Sequence, residues 1–306
     1  GGGVTFKEGG TNFTRSLLVG ADSTGTLSSS TDNTGLGTNV FSALTSGTSN
    51  SVVGSFALCS NTTGEDNSVV GKNALCTNTS GTANVAMGKN SLYANTSGGQ
   101  NTAVGNASLD SNTTGACNTA IGYLSGSSIT TGTRNVSVGW KALCDLSTSD
   151  ANTAIGREAL SKTTNGNNVG IGAEAGAANT TGQIVAIGSG ALQAHTTGGY
   201  NTAIGTESQR RTTTGSDNVS IGKNALCSLT IGTENIAIGN VALDAQVDGD
   251  QNVAIGHGAL GKATNDKNTA VGRTALDNIT SGIGNVAIGF SSGAEGTWQN
   301  FDLHQL

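Results

Sequence analysis

Four of the five cysteines of this 306-residue chain recur at one place: Cys59, Cys76, Cys144 and Cys227 each follow an Ala-Leu pair, while Cys117 stands apart in a turn. Cys59 and Cys76 are 17 residues apart. If that interval is one coil of a stacked fold, their Cα atoms lie ~4.8 Å apart, inside the window for a disulfide. Parallel in-register strands aim such side chains alike rather than at each other, so the expectation is a half-buried column of small thiols. An odd cysteine count without a paired framework fits assembly in a reducing compartment such as a host cytosol. His195, His257 and His304 have no partner ligands at metal spacing and read as exposed or turn histidines. The acidic residues, among them Glu65, Asp66, Asp217 and Asp248, are scattered, and no Gly-Gly-x-Gly-x-Asp repeat marks calcium binding. No Gly-x-Ser-x-Gly elbow occurs with a placed histidine. The Asn61-Thr62-Thr63 acceptor pattern for N-glycosylation is generated by the repeat described below. The expectation is a chain that is not an enzyme and takes no metal and no cofactor.

Composition narrows the elements that could carry these residues. Glycine supplies 48 residues, proline none, and only 11% are charged. Aromatics are 4%, too few for an ordinary enzyme core of large side chains. Plentiful Thr, Val and Ile argue against disorder, and the absent proline argues against collagen. A net charge of −6 leaves no basic footprint for nucleic acid, and no run of about 18 apolar residues suits membrane insertion. The opening Gly1-Gly2-Gly3, without Met or a signal peptide, reads as a processed or trimmed end.

One repeat then decides the architecture. Asn-x-small-(Ile/Val)-Gly recurs from Asn33 to Asn285, as at Asn84–Gly88, Asn101–Gly105, Asn118–Gly122, Asn201–Gly205 and Asn252–Gly256, with Ile184 once in place of Asn. A degenerate copy reads Ser16-Leu17-Leu18-Val19-Gly20. Between Gly20 and Gly289 thirteen steps are 17 residues and three are 16. With the Asn as position 0, position +4 is always Gly, which implies a positive φ or a backbone contact too close for a Cβ. Position +3 is a branched or long apolar residue, position +2 is small, and position +8 is Leu in eleven of sixteen copies. A second Gly at +14 follows a Thr-Thr or Thr-Ser pair, and the short repeats lose their residue after it, which marks a surface turn.

Two glycines per 17 residues oppose a helix, and short β-branched segments between Gly and Asn read as strands. Such a unit is too small to fold alone and must stack on its neighbours. The expected fold is all-β: a parallel β-solenoid or β-roll of about 17 coils over residues 16–293, ~80 Å long at ~4.8 Å per coil. Residues 1–15 and 294–306 are the expected caps or junctions, the latter holding Trp298 and Phe301. The Asn column can form a side-chain ladder along the axis. Along a strand, +1 and +3 share one face and +2 takes the other. The +2 face is never charged, and its small residues, Ala103, Ala154, Ala203, Ala254 and Ala287 among them, are the expected contact with other copies of the chain.

Asn-x-Ala-Ile-Gly-x-x-Ala-Leu resembles the head repeat of trimeric autotransporter adhesins, and the longer form with its Thr-Thr-Gly linker, as from Asn201, is still more similar to repeats of phage and viral tail fibres. The resemblance covers roughly residues 16–293. It implies a left-handed β-roll assembled as a homotrimer, often ahead of a self-cleaving chaperone domain. Departing from both patterns, no coiled-coil stalk, membrane anchor or chaperone domain is recognisable among these residues. The resulting expectation is a structural fibre that presents a stiff rod for attachment to a host-surface receptor or glycan, on a virion, as a tail fibre, or on an extracellular surface. The alternatives are the repeating subunit of an extracellular filament joined through its termini, and an ice-binding solenoid built on its Thr columns.

Overall fold

The computed structural model describes residues 6–10, 12–20 and 24–293. It is an all-β parallel solenoid of about sixteen turns, with sixteen short strands spaced about one repeat apart and no helix among the described residues. The chain divides into two compact units, Gly1–Asn152 and Thr153–Leu306. The degenerate copy at 16–20 falls in a longer strand, so the turns number about sixteen rather than seventeen.

The first unit opens with an antiparallel hairpin of β1 (Phe6–Gly10) and β2 (Phe13–Val19). β2 then pairs in parallel with Ser30–Thr31 and with Thr34–Leu36, the first of seven three-residue strands that end at Val136–Val138. The second unit stacks nine strands of three or four residues, from Thr153–Ile155 to Val286–Ile288. Within each unit these short strands pair in register. Val85, Ala86 and Met87 lie beside Thr102, Ala103 and Val104, and Ile236, Ala237 and Ile238 beside Val253, Ala254 and Ile255. Residues 294–306, including the expected cap with Trp298, lie outside the described residues.

Glycine at +4 ends each strand for the two reasons its type suggests. Gly88 has φ 138°, and a Cβ there would stand 2.3 Å from the carbonyl oxygen of Gly105 in the next coil. Behind it the chain turns through non-glycine residues of positive φ, such as Asn90 (58°) and Leu92 (50°). A left-handed leucine is strained. Here the cost is offset by full burial of the side chain and by its N–H, which donates to the Ser108 carbonyl (3.0 Å).

The core of each coil lies between the +2 and +8 columns. Ala103, Ala154, Ala203 and Ala254 are wholly buried within the single chain, as are Leu92, Leu109, Leu143 and Leu260. Ala287 is half-buried and packs against the same core in the second unit. This corrects the expectation that the small +2 face meets other chains. The leucines fill the coil, and opposite them sit alanine or, at Val52 and Val69, valine, buried as well. Where +8 is Gly126 or Gly176, the space is taken by Ile129 or Ile184. Where +8 is Gln209, its Nε2 donates to Ser220 Oγ (2.9 Å), a serine in place of the alanine.

Candidate functional site

With +2 turned inward, the outward face of the stacked strands belongs to +1 and +3. In the first unit Leu36, Val53, Val70, Met87 and Ile121 are exposed, Val70 to 46% while its neighbour Val69 is fully buried. The second unit repeats this with Ile155, Ile221, Ile236 and Ile255. Each unit therefore carries a strip of apolar side chains on its parallel sheet. Parallel sheets occur almost only with both faces covered, and contiguous exposed apolar patches mark interaction sites.

The polar interior holds the coils in register. In the Asn column, the Asn84 backbone N–H and Nδ2 both donate to Asn67 Oδ1 (3.0 and 3.1 Å), and Asn101 does the same to Asn84 Oδ1 (3.0 and 3.2 Å). Asn84 Nδ2 also donates to the Gly98 carbonyl (2.9 Å). The second unit has a ladder of the same kind, where Asn252 donates to Asn235 Oδ1 (3.0 and 3.1 Å). Asn118 and Asn201 belong to the same buried column.

A second asparagine ladder stands at +11. Asn78, Asn95 and Asn112 each donate to the asparagine of the preceding coil, beginning at Asn61, at 2.8–2.9 Å. Asn78 Nδ2 shares the Gly81 carbonyl with Asn67 Nδ2, which gives the +14 glycine its place.

His195 is not an exposed or turn histidine, as its sequence setting suggests, but is wholly buried. It occupies the +11 position of the repeat whose position 0 is Ile184, and it takes over the missing amide's work. Its Nδ1 faces Asn179 Oδ1 (3.2 Å) and its Nε2 faces Asn201 Nδ2 (3.1 Å). Asn201 Nδ2 also donates to the Gly215 carbonyl, and Asn179 Oδ1 accepts from the Gly182 N–H, so both amide orientations are set independently. The ring is therefore the neutral Nδ1–H tautomer. Burial drives its pKa down to about 4, against the opposing pull of the Gly215 and Gly198 carbonyls. His257 is exposed, and His304 lies outside the described residues.

Cys59, Cys76, Cys144 and Cys227 are half-buried thiols, as the sequence leads one to expect. Cys59 and Cys76 do not merely share a column: their Sγ atoms stand 2.8 Å apart. Cys117 is exposed, with Sγ 3.2 Å from Gln100 Oε1.

On the outside, threonine hydroxyls at +12 donate to carbonyls of the following coil, as Thr62 to Thr79 (2.9 Å) and Thr196 to Thr213 (2.9 Å). Position +5 varies freely and carries the exposed Tyr123 and Trp140, with Lys141 Nζ 4.6 Å from the Trp140 ring centre. In the second unit Arg157 pairs with Glu158 (2.7 Å) and Glu174, while Arg210 pairs with Glu207 (3.5 Å). These pairs are open to solvent and add little to stability. Among the described residues no group of three or more His, Cys, Asp or Glu side chains could hold a metal ion, and no helix is long and apolar enough to cross a membrane. No family model and no curated protein matches the chain.

Proposed function

We propose that this chain is a structural fibre protein: a stiff rod, assembled as a homotrimer, that serves attachment rather than catalysis. One observation carries the reading, the exposed apolar strip of +3 side chains along the stacked strands of each unit. A second copy of the same strip is its natural cover, since identical repeats present identical spacing. Trimer number, left-handedness and the place on a virion, tail fibre or extracellular surface rest on the resemblance of the repeat to autotransporter heads and phage fibres. A host-surface receptor or glycan would meet the outward columns that vary from coil to coil, such as +5 with Tyr123 and Trp140. Aromatic rings with one polar edge suit such contacts.

The test is a Val104→Asp/Ile121→Asp double variant, which places carboxylates on the strip and leaves the buried Ala103 and Ala120 untouched. The variant should keep its β-sheet circular dichroism and lose its oligomeric mass, because an unpaired charge costs several kcal/mol in a dry interface. A variant that retains the parent's mass overturns the reading. Ice binding is disfavoured because the +12 hydroxyls are already committed to protein carbonyls.

A further inference from the structure

We propose that Cys59 and Cys76 are a site of covalent modification, oxidised by a small-molecule disulfide to an intrachain cystine that staples two consecutive coils. Of the five cysteines, only these two occupy equivalent places in consecutive repeats. Cys227 has Arg210 and Asp244 at the equivalent places on either side, and Cys117 is in a turn beside Gln100.

The turn geometry brings the pair together. Leu58 and Leu75, the residues just before them, both have positive φ (48° and 51°), so the side chains that follow leave a turn rather than a flat strand. The coils are tied at this point by the Ser60 N–H donating to the Cys76 carbonyl (3.1 Å). Within that frame the Sγ atoms are 2.8 Å apart, and a bond at ~2.05 Å needs a movement of under about 1 Å. Both residues are half-buried, which leaves a path for a small oxidant.

The pair is also polarised. Either thiol can donate in the Sγ–Sγ contact, and the Cys59 thiol also reaches the Cys76 carbonyl (3.4 Å); the contact draws the pKa of Cys59 down to about 6 and pushes Cys76 up. Cys59, the more acidic of the two, is the nucleophile. It attacks one sulfur of oxidised glutathione, forms a mixed disulfide and expels one glutathione thiolate. Cys76 then gives its proton to solvent and attacks Cys59 Sγ, expelling the second glutathione thiolate. Two protein thiols lose two electrons, and one glutathione disulfide becomes two thiols. The product links residues 17 apart in sequence along the stacking axis, and it would form when the chain leaves a reducing compartment for an oxidising one.

The experiment incubates the whole chain with oxidised glutathione at pH 7.5, then unfolds it, alkylates it and maps it by mass spectrometry. The expected result is three alkylated cysteines instead of five and a tryptic species, two hydrogens lighter than its parts, joining the Cys59 and Cys76 peptides. In the Cys76→Ser variant the reaction should stop at a persistent glutathione adduct on Cys59. Five alkylated cysteines in the parent, or a glutathione adduct on parental Cys59 that never resolves, would overturn the assignment. So would a Cys59 that stays unreacted in the variant.

Discussion

Replacing Asn84 with alanine removes one rung of the buried ladder, and the structure sets the cost. Asn84 Oδ1 is the acceptor for both the backbone N–H and the Nδ2 of Asn101 (3.0 and 3.2 Å). Both donors are buried. The other side of the rung survives better: Asn67 Oδ1 keeps the Asn84 N–H, and the Gly98 carbonyl keeps Asn95 Nδ2 (3.0 Å). The Asn101 N–H is orphaned while its Nδ2 keeps the Gly115 carbonyl (2.9 Å), so the loss is about 1–3 kcal/mol. The control is Asn106→Ala, an asparagine at the exposed +5 position, which should stay within about 0.5 kcal/mol of the parent. Urea unfolding of both variants measures the difference, and amide exchange at Asn101 localises it. If Asn84→Ala unfolds at the parent's midpoint with Asn101 still protected, the ladder does not hold the coils, and this account of register fails.

Two further outcomes follow from the same geometry. His195 has a folded pKa of about 4 against an ordinary value near 6.5, so its stabilising contribution is complete above about pH 6.5 and is lost as pH falls towards 4. At about 1.4 kcal/mol per pKa unit the loss approaches about 3 kcal/mol, and His195→Asn should flatten that part of a melting-temperature profile between pH 7 and 4; an unchanged profile would contradict the buried neutral ring. Gly105→Ala should cost about 3 kcal/mol or more, because φ is 139° and the new Cβ would stand 2.4 Å from the Gly122 carbonyl oxygen. Gly199→Ala, with nothing within 4 Å of its Cβ, should be neutral or gain a few tenths of a kcal/mol. Equal melting temperatures for the two glycine variants would show that the +4 column tolerates side chains.

Periodicity made the strands, their parallel register and the Asn and Gly columns readable before any coordinates. The spacing of Gly20 to Gly289 leaves no other alignment, and each column's residue type names its contact. What the alternation of Asn-Thr-Ala-Ile-Gly does not reveal is which face is inside. It shows only that Thr and Ile share a side opposite Ala. Burial decides the matter: Ala103 is enclosed with Leu109, and Val69 with Leu75, while the +3 side chains Val70 and Ile121 are exposed. The second ladder was readable too, since asparagine recurs at Asn61, Asn78, Asn95 and Asn112 at the same 17-residue step as the first column. The signal for His195 was Ile184 at a position otherwise held by Asn. A search for metal partners overlooks it, because the histidine substitutes for an amide and not for a ligand. The Cys59–Cys76 contact was hidden by left-handed turn residues, which redirect side chains that a flat strand would keep parallel.

The claim that the apolar strip is covered by copies of the same chain is tested most directly by light scattering on the purified protein. The account predicts a mass of three times the 30.1 kDa chain, unchanged on dilution through the micromolar range. A monodisperse species of 30.1 kDa at the same concentrations would contradict it.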